Sequence, residues 1–130
     1  VKTLLLDTCA FLWLALDPGR IPEKAATLLN DTRNPRLLSQ VSVLEIVLKF
    51  RTGKLPLPLP PEEWIPTRRT FFCIRDLPLT EANICQSRHL PSEHSDPFDR
   101  LIAAQALASN HEVLTSDPRF RDLGARVTWD

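Results

Sequence analysis

Short apolar runs that stop at a polar residue alternate along this chain with helix-period segments. That alternation restricts the fold more than any other feature. Thr3–Leu6 reads as a buried strand closed by Asp7. Arg36–Ser39, Phe71–Ile74, Glu112–Thr115 and Arg126–Trp129 read as further strands. Between them lie helical segments at Cys9–Leu16, with Thr8 as its cap and Asp17-Pro18-Gly19 as its stop, and at Pro22–Leu29. Ser42–Arg51 is the clearest helix, because Val43, Ile46, Val47 and Phe50 fall at i, i+3, i+4 and i+7. Glu62–Thr70 predicts a helix kinked at Pro66, Thr80–Arg88 a short one capped by Thr80, and Pro97–Ser109 a long one rich in alanine. Leu55–Pro61 alternates Leu with Pro and is extended, while Leu90–Ser95 is a polar loop. Strands alternating with helices, in a chain of 130 residues without a repeat or a linker, predict one α/β domain on a mainly parallel sheet.

In such a sheet the C-terminal ends of strands and the N-terminal ends of the following helices share one edge, and sites form there. Four acids fall at those places: Asp7, Glu45, Asp99 and Asp117. Carboxylates gathered in one pocket repel one another unless a cation is held between them, and all-oxygen acidic sites suit Mg²⁺ or Mn²⁺. The helix N-termini at the same edge favour an anion such as phosphate.

Each acid also has a purely structural reading. Ser42-Val43-Leu44-Glu45 matches a capping box, and Glu45 precedes Lys49 by four residues, a common surface pair. Asp96-Pro97-Phe98-Asp99 has a cap, a proline at N1 and an acid at N3. Asp117-Pro118 starts turns, and Asp7-Thr8 is able to cap a helix. Asp7 nevertheless ends a run of leucines that belongs in the core, where an unpaired carboxylate is costly.

Charge excludes one class of partner-seeking surface. Sixteen basic and sixteen acidic residues give a formal net charge of zero, so nucleic acid would have to be bound by a local patch. The bases are twelve Arg against four Lys, a bias that suits bidentate phosphate contacts but that a genome rich in G and C produces as readily. Cys9, Cys73 and Cys85 are odd in number and have no C-x-x-C spacing, which points away from disulfides and zinc and towards a reducing cytoplasm. The apolar stretch Leu4–Leu16 is broken by Asp7 and lacks the frame of a secretory signal, and no run is long enough to span a membrane.

Taken together, Leu4-Leu5-Leu6-Asp7-Thr8, Ser42-x-x-Glu45-Ile46, Asp96-Pro97-Phe98-Asp99-Arg100-Leu101-Ile102-Ala103-Ala104-Gln105-Ala106 and Leu114-Thr115-Ser116-Asp117 resemble the successive motifs of PIN-domain proteins. The likeness is strongest to VapC-type toxins of bacterial type II toxin–antitoxin pairs and runs from Leu4 to about Phe120. Lys49-x-x-x-Gly53-Lys54-Leu55 resembles the stretch that follows the second acid in that family. The resemblance implies a three-layer α/β/α fold with a central mainly parallel sheet, the whole of residues 1–130 forming one PIN domain. It places the family's acidic metal site, catalytic and metal-binding together, on Asp7, Glu45, Asp99 and Asp117. It implies a Mg²⁺- or Mn²⁺-dependent endoribonuclease that cleaves tRNA or rRNA with a metal-activated water. It also implies a VapB-like antitoxin partner and a homodimer.

Around these four, Thr8, Ser42 and Thr115 are candidates to orient the carboxylates. Asp96 reads as a helix cap, and Arg100 has both a phosphate-facing and a structural reading. His94 reads as a solvated loop histidine, and His89 and His111 have no suggestive spacing. The first helix, with Phe11, Leu12, Trp13 and Leu16, offers an apolar face for a partner segment. Two other classes compete. An Asp-nucleophile phosphatase usually has an acid two residues after the nucleophile, and Cys9 at that place counts against it. A non-catalytic acidic-pocket module needs only two or three of the acids and no path for RNA.

Overall fold

The computed structural model describes residues 1–130. Five strands form one sheet: β1 Leu4–Leu6, β2 Arg36–Ser39, β3 Ile74–Leu77, β4 Glu112–Leu114 and β5 Arg126–Thr128. Every pairing is parallel and the spatial order is β3-β2-β1-β4-β5. Seven helices accompany them: α1 Thr8–Leu16, α2 Glu23–Asn30, α3 Gln40–Arg51, α4 Pro61–Phe71, α5 Glu81–Ser87, α6 Pro97–Ser109 and α7 Arg119–Asp122. The three-layer α/β/α architecture with a parallel sheet follows from the alternation in the sequence.

The short central strand shows why. Leu4, Leu5 and Leu6 are completely buried, with neighbours on both sides and helices on both faces. Leu4 and Leu6 pack with Leu38, Leu114, Phe11, Leu29 and Trp64 on one face, and Leu5 packs with Val113, Ile102, Ala103 and Phe120 on the other. A strand buried on both faces shows no polar alternation, which is the signature of a parallel sheet. Ala103, Ala104 and Ala106 of α6 pack against that second face, as their small size allows.

The strand order fixes where a site can form. The chain moves from β1 outward to β2 and β3, then returns to place β4 on the other side of β1. The connections therefore diverge between β1 and β4, and a crevice opens outside their carboxyl ends.

Several boundaries differ from the sequence reading, each for a local reason. Helix α1 starts at Thr8, and its cap is Asp7, whose carboxylate accepts from Ala10 N. Helix α3 starts at Gln40 rather than Ser42, because Ser39 takes the cap role with its hydroxyl on Val41 N. Ser42 is inside the helix and fully buried, so no capping box joins it to Glu45. On the same helix Val47 faces solvent, while Val41 and Ile46 carry the packing. Helix α4 runs through Pro66 to Phe71, and Cys73 turns the chain at φ 54° before β3 begins at Ile74. Phe71 and Phe72 thus end a helix rather than begin a strand. Thr80 caps α5 as the sequence predicts, in a reciprocal box with Asn83.

Candidate acidic active site

At the crevice between β1 and β4, a cleft of about 430 Å³ is lined by Asp7, Thr8, Glu45, Lys49, Asp96, Asp99, Asp117 and Arg119, among others. The four acids singled out in the sequence come from four different elements, the end of β1, the middle of α3, the first turn of α6 and the turn after β4, and they open on this one space.

Asp7 is buried and held at both oxygens. Oδ1 accepts from Ala10 N at 2.7 Å and Oδ2 from Thr115 Oγ1 at 2.5 Å. Burial pushes its carboxyl up to about 6, partly offset by those two hydrogen bonds, with Asp99 and Glu45 adding repulsion. Thr115 is buried too, and its hydroxyl also accepts from Asp117 N at 3.0 Å. One side chain therefore links two of the four acidic positions.

Glu45 projects from the body of α3, not from its cap. Its Oε1 lies 2.8 Å from Thr8 Oγ1, which is 2.9 Å from Ser42 Oγ. A hydroxyl has one proton, so both contacts form when Thr8 donates to Glu45 and accepts from Ser42. Lys49 Nζ donates to Glu45 Oε2 at 2.9 Å. Thr8 and Ser42 thus orient a carboxylate instead of capping their helices.

Asp99 stands at N3 of α6, but the cap is Asp96, whose Oδ1 accepts from Phe98 N at 2.9 Å and from Asp99 N at 3.4 Å. The Asp99 carboxylate is thereby left for other work. Burial raises its pKa, and His94 Nε2, 3.0 Å from Oδ2, opposes the rise. His94 is therefore no solvated loop residue: its ring is largely buried beside Asp99. A ligand atom from each of His94, Asp96 and Asp99 falls within 4.8 Å of the others.

Asp117 is the acid most engaged by protein. Arg119 N and Nε donate to Oδ1 at 2.9 and 3.0 Å, and Arg119 Nη2 donates to Oδ2 at 2.8 Å. These bonds hold its pKa below the usual carboxylate range. Arg119 escaped the sequence reading, although its place two residues after Asp117 is the spacing of an Asp turn closed on its own backbone.

The donor set fits a hard divalent cation. Several carboxylates share a half-enclosed cleft, two of them are destabilised as anions by burial, and no lysine or arginine is paired with Asp7 or Asp99. Two cationic side chains, Lys49 and Arg119, stand in the cleft and in the adjoining groove formed with Leu48, Ser95 and Phe98. Each base is paired with one of the acids, Lys49 with Glu45 and Arg119 with Asp117, and so offsets part of the negative charge of the cleft.

Arg100 faces away from this space and donates to main-chain carbonyls, including Ser92 O at 2.7 Å and Ser87 O at 2.8 Å. Phe11 is completely buried and packs edge-on against Trp64, so it belongs to the core and not to a partner-facing surface. Trp13 is covered by Trp129 and by the Arg20 guanidinium. No helix is long and apolar enough to cross a membrane.

The family model for the PIN domain matches residues 4–126. Ribonuclease VapC22 of Mycobacterium tuberculosis strain H37Rv is 25% identical over 122 residues, which cover 93% of this chain and 92% of that protein. Ribonuclease VapC16 of the same organism is 43% identical over 58 residues, 39% of this chain and 41% of that protein. Among solved structures, VapBC2 from Rickettsia felis, bound to a DNA fragment from their promoter, has the same fold with a TM-score of 0.66. It is 17% identical, and the match covers 99% of this chain and 100% of that one. FitAcB from Neisseria gonorrhoeae gives a TM-score of 0.61 at 24% identity, covering 96% of each chain.

Proposed function

The chain belongs to the PIN-domain family, and we propose that residues 1–130 form one catalytic domain, a metal-dependent endoribonuclease that serves as the toxin of a VapBC-type pair. The observation that supports this most is the convergence of Asp7, Glu45, Asp99 and Asp117 on one cleft that also contains Lys49 and Arg119. The ribonuclease names of the VapC relatives agree with it.

In this reading Asp7 and Asp99 would hold Mg²⁺ or Mn²⁺, with Glu45 and Asp117 contributing from the same cleft. Such an ion supplies Lewis acidity to a phosphodiester and lowers the pKa of a water nucleophile. The protein's own groups do the rest. Ala10 N–H and Thr115 fix the Asp7 carboxylate, and Thr8 and Lys49 fix Glu45. Lys49 and Arg119 attract the RNA phosphate and orient it between them. The amino ends of α1 and α6 add partial positive charge on the same side.

The partner in this reading is a small VapB-like antitoxin that closes the cleft with a cationic side chain, because an arginine engages two carboxylate oxygens at once. Leu44 and Val47, exposed on α3 beside Glu45, give its apolar residues a footing in place of the first-helix face. The phosphatase reading lacks its usual acid two residues after Asp7, since Cys9 occupies that position in the cleft. Incubation with a total tRNA pool and with rRNA tests the assignment. Discrete fragments form with Mg²⁺ or Mn²⁺ and disappear with EDTA or in Asp7→Asn; cleavage indifferent to EDTA overturns it.

A further inference from the structure

One side chain gathers four carbonyls of the polar segment before α6. Arg100 Nη1 donates to Ser92 O at 2.7 Å and His94 O at 3.0 Å, and Nη2 donates to Ser87 O at 2.8 Å and Leu90 O at 3.4 Å. These four carbonyls run from the end of α5 to His94, over most of the connection to α6. A planar guanidinium with donors in a fixed fork reaches all of them together, and an ammonium on a flexible stem does not. The result is that the segment folds back over the first turn of α6, and His94 Nε2 arrives 3.0 Å from Asp99 Oδ2. With its proton on Nε2 the ring donates to that oxygen. Asp99 Oδ1 accepts no hydrogen bond from the protein, in a cleft it shares with Asp7.

We propose that His94 is a positioning residue for Asp99, and that Arg100 acts through it by pinning the 87–94 segment. The imidazole fixes one carboxylate oxygen and so presents the other to the cation. Partners of this kind orient a ligand without touching the metal, and their loss commonly costs 10- to 100-fold in metal affinity. The proposal rests on the reading that Asp99 holds a divalent ion.

Calorimetric titration of the chelated full chain with Mn²⁺ tests it without relying on activity. His94→Ala weakens binding about 10-fold or more, whereas His94→Gln, whose amide can donate to the same oxygen, stays within a few-fold of wild type. Arg100→Lys weakens binding like His94→Ala, and the double variant loses no more than His94→Ala alone. In cleavage assays kcat falls in His94→Ala while KM for RNA is unchanged. Wild-type affinity in His94→Ala overturns the proposal. So does a His94→Gln variant as weak as His94→Ala, which would mark the imidazole as a direct ligand. Additive losses overturn the link to Arg100, and the His94 pair decides the rest if Arg100→Lys does not fold. If Asp7→Asn abolishes Mn²⁺ binding and His94→Ala does not weaken it, only the positioning role falls. If wild type binds Mn²⁺ with the predicted pattern and cleaves no RNA, only the ribonuclease reading falls.

Discussion

Thr115 Oγ1 lies 2.5 Å from Asp7 Oδ2 and ties the end of β4 to the end of β1 across 108 positions of chain. The same hydroxyl accepts from Asp117 N, so it is both the closest support of the buried carboxylate and the start of the next acidic turn. Thr115→Val keeps the shape and removes both bonds. Loss of a partner to a buried charged acceptor costs about 1–3 kcal/mol. Urea denaturation of the chelated protein at pH 8 should show a loss of that size, with a smaller loss at pH 5, where Asp7 is mostly protonated.

Asp7 also gives the metal-free protein a distinctive pH dependence. Its carboxyl is raised by burial to about 6 from an ordinary 3.8. Between those values the folded state binds more protons than the unfolded one, so stability falls as pH rises from about 4 to about 6 and then levels off. Two pK units correspond to roughly 3 kcal/mol. Asp99, raised by burial, acts with the same sign. Asp117, lowered chiefly by Arg119, has the opposite sign, and its contribution is lost only as pH falls below the ordinary carboxylate range. Asp7→Asn should remove most of the slope and be as stable as wild type, or more so, at pH 7, because the amide still caps α1. Denaturation curves in chelator from pH 4 to pH 8 measure it.

Cation binding should reverse that cost. A ligand at 100 times its Kd stabilises the folded state by about 2.7 kcal/mol, so saturating Mg²⁺ or Mn²⁺ should raise the wild-type Tm by several degrees. Asp7→Asn and Asp99→Asn should lose both the rise and RNA cleavage while remaining folded by circular dichroism. A metal-independent Tm would refute the cation site.

Arg119 should influence metal and RNA in opposite directions. Arg119→Ala frees Asp117 from a competing cation, so Mn²⁺ affinity should rise a few-fold by calorimetry. The same change removes one of the two cations proposed to meet the RNA phosphate. KM for RNA should rise, and the salt dependence of RNA binding should flatten by about 0.7 in log–log slope, the value for one lost single-strand phosphate contact.

For the antitoxin, expression of the protein alone should arrest growth. Co-expression with the adjacent upstream reading frame should restore growth and yield a co-purifying, cleavage-inactive complex. Substituting the partner arginine nearest the cleft should return part of the activity, and Leu44→Asp should weaken the complex with little effect on cleavage by the free protein. Normal growth with abundant soluble protein, on a host that contains the cleaved RNA, would count against the toxin role.

Much of this was legible from the chain because it is local. The leucine run Leu4–Leu6, the Pro97 start of α6 and the Thr80 cap depend on neighbouring residues, whose preferences survive in the fold. Period and composition therefore determined an α/β alternation, and with it the edge at which Asp7, Glu45, Asp99 and Asp117 would meet. The helix starts were less secure, since two polar side chains within a few residues of each other compete for one cap. Ser39 rather than Ser42, and Asp7 rather than Thr8, won by where the strand released the chain.

Only the folded structure decided how these side chains pair, across the sheet and within the loop before α6. Thr8 with Ser42 and Glu45, Thr115 with Asp7, and the Arg100 clamp that delivers His94 to Asp99 come from no repeat or spacing. The Thr8 and Thr115 bonds join groups that meet only after the sheet has set the order β3-β2-β1-β4-β5, whereas the Arg100 and His94 bonds close within the connection before α6 and the first turn of that helix. The sequence determined which carboxylates stand at the sheet edge. The fold decided which of them is desolvated, which is neutralised by an arginine, and which is left with a free oxygen, because those are properties of the space between elements.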